Sequence, residues 1–330
     1  MRPFTYTRAN SVDDAIKAYG QASDACFIGG GTNLLDLMKM GVERPAHLVD
    51  INRLPLNTIE EHESGVRIGA LVSNTDAANH ALIRTRYPVL SQAILAGASQ
   101  QLRNMATMGG NLLQRTRCYY FYDPSYKECN KRVPGSGCAA KQGYNRTHAI
   151  LGASEECIAV HPSDMCVALA ALDAVAQVKG PRGERSIPLT ELHRLPGNTP
   201  QIDTNLHPGE LITAIEIPAL SYAKKSTYLK VRDRNSYAFA LVSVAAIVDL
   251  DGDAVREARI ALGGVAHKPW RAVKAEQALK SKKLDEQTLR AAADAELQGA
   301  KPYHDNAFKV ELAKRSIVRA VMTAAGVNHA

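Results

Sequence analysis

Residues 25–41 read ACFIGGGTNLLDLMKMG, and the order of residue types here decides the fold class. Ala25 to Ile28 form a short apolar run of the length of a buried strand. Three glycines follow. Leu34, Leu35, Leu37 and Met38 then recur three and four apart, and Gly41 stands where a left-handed residue ends a helix. Downstream, AHLVDI (46–51) has strand composition. Upstream, a strand over Phe4–Thr7 precedes a helix that opens at Ser11, with Asp14 three residues on, and stops at Gly20. Strand, glycine loop, helix, strand is a βαβ-like pattern, so residues 1–55 read as a small α/β unit.

Consecutive glycines let a backbone approach a ligand closely and turn its N–H groups toward one point, and a helix start adds positive potential. Gly29-Gly30-Gly31-Thr32-Asn33-Leu34 therefore suits a pyrophosphate. A tight strand-to-helix turn capped by Thr32 accounts for it as well. The loop is neither GxGxxG nor a phosphate-binding P-loop. A second stretch, Thr107-Met108-Gly109-Gly110-Asn111-Leu112, echoes it. Two such loops in one α/β region point to a ligand with a pyrophosphate and a long body, which FAD fits. A nicotinamide dinucleotide stays open, because Asp50 stands about 20 positions after the first loop.

Residues 66–115 continue with a strand, VRIGALV, and two helices, the second over Val89–Ala96. The stretch 116–157 is rich in Tyr, Gly, Pro and Lys without a sustained period and reads as an irregular insert. HPSDMCVALAALDAVAQV (161–178) returns to a helix and a strand, and a proline-punctuated region runs to about 220. Residues 226–266 read as strands with a turn at Asp251-Gly252-Asp253, and two helical segments follow, Leu284–Leu297 and Asn306–Ala325. The division this implies is 1–221 (1–55, then 56–221 carrying an insert at 115–160) and 222–330.

The 330 residues are 45% hydrophobic and 22% charged, ordinary globular values that exclude disorder and a disulfide miniprotein. The longest uncharged apolar segment, Ala238–Val248, is far short of the roughly 20 residues of a membrane helix. MRPFTYTRAN at the start lacks the apolar core of a secretory signal. Nearly all of the net charge of +7 sits in residues 101–150. There Arg103, Arg115, Arg117, Lys127, Lys131, Arg132, Lys141 and Arg146 face only Asp123 and Glu128.

That basic block overlaps a run of cysteines, Cys118, Cys129, Cys138 and Cys157, separated by ten, eight and eighteen residues. No CxxC pair of the zinc-ribbon kind is present. Disulfides, unrelated thiols and an iron–sulfur cluster remain as readings. The basic residues favour the cluster, since a cubane held by four thiolates is anionic, and Tyr119, Tyr120, Phe121, Tyr122 and Tyr126 offer a shield from water. Cys26 and Cys166 stand in apolar segments and read as small buried hydrophobes. A nucleic-acid-binding iron–sulfur protein would use the charge but leaves both glycine loops without a role.

FIGGGTNLLDLMK (27–39), ATMGGNLLQRT (106–116), SDM (163–165) and KVRDRNSYAFALVSVA (230–245) together resemble the FAD-binding subunits of molybdenum hydroxylases, relatives of xanthine and carbon monoxide dehydrogenases. Within that family the sequence is similar to the FAD and iron–sulfur subunit of bacterial periplasmic aldehyde oxidoreductases, over essentially the whole chain. The resemblance implies an α+β fold: a two-part FAD-binding domain of the vanillyl-alcohol oxidase/MurB (PCMH) type, then a C-terminal α+β domain with an antiparallel sheet. It implies that Gly29, Gly30, Gly31, Thr32, Asn33 and Leu34 with Gly109, Gly110 and Asn111 hold the FAD pyrophosphate. Thr107 and Asp164 would add polar contacts and Lys230 would approach the flavin.

Asn111 and Ser163 are 52 positions apart, and the excess over the plain family pattern is the cysteine insert. By resemblance to the aldehyde oxidoreductase branch and to 4-hydroxybenzoyl-CoA reductase, Cys118, Cys129, Cys138 and Cys157 would bind a [4Fe–4S] cluster. The implied assembly is a heterotrimer. Its large subunit carries a molybdenum cofactor that turns aldehyde and water into carboxylate, and its small subunit carries two [2Fe–2S] clusters. This chain would pass electrons through FAD to an external acceptor, with no catalytic acid or base of its own. Export to the periplasm would depend on a signal borne by the small subunit; the chain alone reads as cytoplasmic. A 4-hydroxybenzoyl-CoA reductase-like subunit, a xanthine dehydrogenase-type FAD subunit and a self-contained NAD-using flavin dehydrogenase are the alternatives.

Overall fold

The computed structural model describes residues 1–327, so residues 328–330 of the C-terminal part lie outside the described residues. Three sheets carry the α+β architecture. The first is parallel, with β1 (Thr5–Arg8), β2 (Ala25–Ile28) and β3 (His47–Asp50) in the order β1-β3-β2. Its first helix, Val12–Gln21, is capped by Ser11, whose hydroxyl accepts the N–H of Asp14 as the sequence pattern predicts. The helix after the glycine loop, Leu34–Met40, ends at Gly41 with φ 73°. Asn33, not Thr32, occupies its cap position, and no side chain caps it.

The second sheet is antiparallel, in the order β4-β5-β8-β6-β7: β4 (Ile59–His62), β5 (Gly65–Gly69), β6 (Val175–Gly180), β7 (Gly183–Pro188) and β8 (Leu211–Ile217). Strands far apart in sequence close it, so the cysteine insert, between β5 and β6, is an excursion from a finished scaffold. The third sheet, order β12-β11-β10-β9, is built from β9 (Ser226–Val231), β10 (Val242–Asp251), β11 (Ala254–Gly263) and β12 (Trp270–Arg271). Its turn lies at the predicted Asp251–Asp253.

β10 is buried from Val242 to Val248 because both of its faces are covered. Ala245 and Ile247 join the core around the helix Asp164–Ala171, whereas Val244, Ala246 and Val248 join the core under the helix Phe308–Ala324. Side chains alternate between faces along a strand, so a strand covered twice reads as one apolar run. Helix Asp164–Ala171 is buried at all eight positions, sitting between the second sheet's helices and the third sheet. That burial fixes the angle at which the C-terminal part meets the rest.

Between residues 74 and 112 the chain forms five short helices where the sequence pattern indicated two. Asn74–Asn79, Ala81–Arg86, Gln100–Met105 and Met108–Leu112 have at most six residues, too few for a hydrophobic period. Helix Val273–Leu279 was likewise not expected from the sequence.

Asp50 is 4% exposed, and its carboxylate is engaged by neighbouring protein donors. It accepts hydrogen bonds from Tyr6, from Arg8 Nε at 2.9 Å, and from the backbone and side chain of Asn52 at 2.9 and 2.7 Å. Burial opposes the charge, but these donors outweigh it and hold the carboxyl down at about 2. A depressed carboxylate stabilises the fold above the ordinary carboxylate range and loses that contribution as pH falls through its folded value. Asp50→Asn is therefore expected to lower the urea midpoint at pH 7 by the equivalent of about 2 kcal/mol. The gap to the native chain narrows as pH drops from about 5 toward 2.

Candidate functional site

A cleft of about 1450 Å³ opens on the surface, larger than the roughly 300–1,000 Å³ of a small-ligand pocket. Gly29 to Leu34 line it, as do Thr107, Gly110, Asn111, Asp164 and Lys230. No acceptor among the described residues takes the backbone N–H of Gly29, Gly30, Gly31, Thr32, Asn33 or Leu34. Six successive donors without a protein acceptor, on half-buried residues that line one cleft at a helix start, form an anion cradle. The residues fit a diphosphate on this ground alone.

The second glycine element is different from its expected form. It is a helical turn, Met108–Leu112, and its donors are already used: Met108 N–H to Val72 O, Gly109 N–H to Ala70 O, and Gly110 N–H to the Thr107 hydroxyl. Gly109 packs on Ala70 and does not reach the cleft. Glycine is required here by packing. At Gly30 a Cβ would lie 1.8 Å from the Met105 carbonyl oxygen, so the first loop rests directly on the segment leading into the second. Gly31 adds a φ of 71°. The two motifs look alike because they interlock, and only the first offers N–H groups.

Asp164 and Lys230 meet each other. Lys230 Nζ lies 2.8 Å from Asp164 Oδ2 and also donates to Ala96 O at 3.0 Å; the two side chains are 5% and 8% exposed. Tyr228, unnoticed in the sequence, donates to Asp164 Oδ1 at 2.6 Å, its hydroxyl held protonated by burial and by the carboxylate. Lys230 is thus neither a solvated strand-end cation nor an unpaired charge aimed at a ligand; the pair forms part of the cleft wall. Asn111 Oδ1 accepts from Ser163, the cap of helix Asp164–Ala171, at 2.6 Å. Ser163 N also donates to His161 Nδ1 at 3.3 Å.

His161, Cys166 and His193, not foreseen as a group, place donor atoms within 4.8 Å of one another. Burial keeps both imidazoles neutral and pushes the Cys166 thiol up to about 12. His193 Nε2 bonds Leu112 O at 2.7 Å, which ties the second glycine element to the core beneath it. Cys166 is buried as expected, whereas Cys26 is half-buried and lines the cleft.

The insert begins at the cleft. Asn33 Oδ1 accepts the N–H of Arg115 at 2.9 Å and Asn33 Nδ2 donates to Tyr122 at 3.2 Å. Residues 128–139 fold back so that Cys129 and Cys138 sit opposite each other in an antiparallel bridge. Cys118 and Cys157 join them: charge on Cys118 is disfavoured by Cys157 and Cys129, and charge on Cys157 by Cys138 and Cys129. Burial is the larger cause and pushes the Cys118 and Cys157 thiols up to about 12 and about 11. No disulfide links any of the six cysteines.

The Ala159 N–H donates to Cys157 Sγ at 3.5 Å, and Cys118 packs in small apolar clusters with Cys129 on one side and Cys138 on the other. Two buried thiols, Cys129 and Cys157, with the half-buried Cys118 and Cys138 beside them, suit thiolates on the corners of a metal cluster. Such thiolates bind different irons and lie farther apart than ligands of one ion. Cys118 lines the cleft, and the other three lie behind it.

The basic residues are placed differently from expectation. Arg115 pairs with Glu43 and with Asp203 at 2.7 Å, Lys131 with Asp203, Arg117 with Asp36, Lys141 with Glu155, and Arg146 with Asp233 at 2.9 Å. Most of them fasten the insert to the scaffold. The aromatic shield is partial: Tyr120 and Phe121 are buried, while Tyr119 and Tyr126 are exposed.

With the geometry in place, comparison with known proteins is decisive. The family described as the FAD binding domain in molybdopterin dehydrogenase matches residues 2–220, and the CO dehydrogenase flavoprotein C-terminal domain matches residues 227–324. The chain belongs to the FAD-binding subunits of molybdenum hydroxylases. It is 54% identical over 319 residues to the aldehyde oxidoreductase FAD-binding subunit PaoB of Escherichia coli, covering 96% of each chain. It is 30% identical to the glyceraldehyde dehydrogenase medium chain of Sulfolobus acidocaldarius, covering 88% of this chain and 85% of that one. Among solved structures, carbon monoxide dehydrogenase of Hydrogenophaga pseudoflava superposes with a TM-score of 0.77 at 28% identity, covering 98% of both chains. As a member of this family the chain is an oxidoreductase subunit that binds FAD, the medium subunit of a multi-subunit complex.

Two substitutions test the cleft of this flavoprotein subunit. Gly30→Ala drives a methyl into the Met105 carbonyl and is expected to abolish FAD retention, measured as flavin absorbance per chain after gel filtration. Lys230→Met leaves the Asp164 carboxylate buried without its cation and is expected to cost about 3–5 kcal/mol. Adding Asp164→Asn to that variant recovers part of the lost melting temperature.

Proposed function

We propose that this chain is the FAD- and [4Fe–4S]-carrying subunit of a heterotrimeric molybdenum-containing aldehyde oxidoreductase. The observation that carries the reading is the shared wall: Cys118 of the four-cysteine insert lines the same cleft as the six unpaired N–H groups of Gly29–Leu34. A diphosphate held there would bring the flavin cofactor into the same cleft that Cys118 borders. FAD, when bound, supplies acceptance of electrons singly and release singly or in pairs, which side chains cannot supply. Cys118, Cys129, Cys138 and Cys157 would hold the iron–sulfur group, whose chemistry is one-electron exchange.

The chain's own residues bind and orient. The first loop offers its donors to phosphate oxygens. Asn33 couples that loop to the insert, so the position of the cleft wall and the position of Cys118 are set together. The Asp164–Lys230 pair fixes a polar patch of wall without presenting a net charge. Under this proposal no side chain in the cleft needs to act as a general acid or base for aldehyde hydration. Under this proposal that reaction takes place on a large partner subunit with a molybdenum cofactor, fed to this chain through two [2Fe–2S] clusters of a small subunit.

Two features support the aldehyde assignment: the E. coli relative is named an aldehyde oxidoreductase subunit and the S. acidocaldarius relative a glyceraldehyde dehydrogenase chain. Periplasmic residence, reached in company with a signal-bearing partner, completes the proposal; it rests on the resemblance and is checked by cell fractionation.

Purified complex is expected to contain one FAD and four irons per copy of this chain beyond those of its partners, by metal analysis and absorption spectroscopy. Cys129→Ser is expected to lose those four irons while keeping FAD at least in part. Zinc in their place, or no metal, would refute the cluster assignment and leave the flavin assignment standing.

A further inference from the structure

Within the insert, one side chain faces a proposed cluster ligand and is accounted for by nothing above. His148 Nε2 lies 3.1 Å from Cys118 Sγ. The ring is 2% exposed, and its other nitrogen, Nδ1, is buried with no partner. The contact is not an accident of a loose loop, because the backbone of His148 is held from three directions. Its carbonyl oxygen accepts from the fully buried Lys309 Nζ at 2.7 Å and from Asn306 Nδ2 at 3.3 Å, and its N–H donates to Asn145 O at 3.0 Å. Lys309 and Asn306 lie at the start of the C-terminal helix, more than 150 residues away in sequence. The fold thus spends a buried lysine on fixing where this imidazole points.

An imidazole places a ring proton on the nitrogen that meets an acceptor. Nδ1 has no acceptor to meet, whereas Nε2 faces a sulfur that becomes a thiolate when it binds iron. The proton therefore sits on Nε2 and is donated to Cys118. Hydrogen bonds to cluster sulfurs stabilise the more negative, reduced form and so raise the reduction potential. Cys118 is also the one cysteine of the four that lines the flavin cleft, and His148 lines it too.

We propose that His148 is a positioning and tuning residue for the cluster, donating its Nε2–H to the Cys118 thiolate and raising the cluster's reduction potential from the side that borders the cleft. The inference rests on the four-cysteine reading above and deepens it.

The test is a potentiometric titration of the purified complex followed by electron paramagnetic resonance, with iron and flavin measured on each sample. His148→Leu removes the donor, and His148→Gln keeps an N–H of similar reach. With four irons retained, His148→Leu is expected to shift the reduction equilibrium of this cluster about fivefold toward the oxidised form. That corresponds to about 40 mV at 59 mV per decade for one electron, and His148→Gln returns most of it. A cluster in His148→Leu with an unchanged potential overturns the proposal. So does equal loss of iron from both variants, which would make His148 a brace. In the unmutated complex, double-resonance spectroscopy with ring-15N histidine is expected to show a histidine nitrogen coupled to the reduced cluster, and its absence overturns the proposal without any variant. Native complex with full flavin but no iron on this chain would instead sink the four-cysteine reading, and this inference with it.

Discussion

Six backbone N–H groups in a row, from Gly29 to Leu34, have no protein acceptor, and the rest of the site is arranged around that deficit. These residues are half-buried along one concave wall, and N–H groups at a helix start look outward for an acceptor, so the loop is suited to an anion. The three glycines make the deficit sterically attainable. Gly30 allows the loop to lie on the Met105 carbonyl, and Gly31 takes the left-handed turn into the helix. The cofactor's phosphates and the fold are in this sense parts of one hydrogen-bond inventory.

The insert is the second structural theme, and its charges explain how an irregular loop of some forty residues is held. Lys131, 3% exposed, and Arg115 converge on Asp203, whose carboxyl they hold well below the ordinary range against the cost of burial. Removing one member of such a buried group is far more destabilising than never having built it. Asn33 binds the front of the insert to the glycine loop, and Lys309 with Asn306 binds its back to the last helix. The cysteines therefore lie in a segment clamped between both halves of the molecule. Cys118 alone among them reaches the cleft.

Much of this was legible in the sequence, and the limits have physical reasons. The strand–glycine–helix unit of residues 25–41 and the Ser11 cap follow from local rules of period and capping. The 251–253 turn does so too, and all three lie where those rules put them. The local excess of +6 in residues 101–150 was visible but its purpose was not. Its acidic partners, Asp36, Glu43, Asp203 and Asp233, are scattered over 200 residues, and only the fold brings them together. The likeness of GGTNLL and GGNLLQ suggested two equivalent phosphate loops. Sequence cannot distinguish a glycine that frees an N–H from one that avoids a clash, and Gly109 is of the second kind. Tyr228 and His148 were missed because each acts through one long-range contact with no motif around it.

A density map of the assembled complex with its flavin tests the central claim most directly. The account predicts the diphosphate oxygens within hydrogen-bonding distance of the backbone nitrogens of Gly29 to Leu34, with little or no contact to the N–H groups of Gly109 and Gly110. A diphosphate seated on the second glycine element, with the first loop's nitrogens facing solvent, would contradict it.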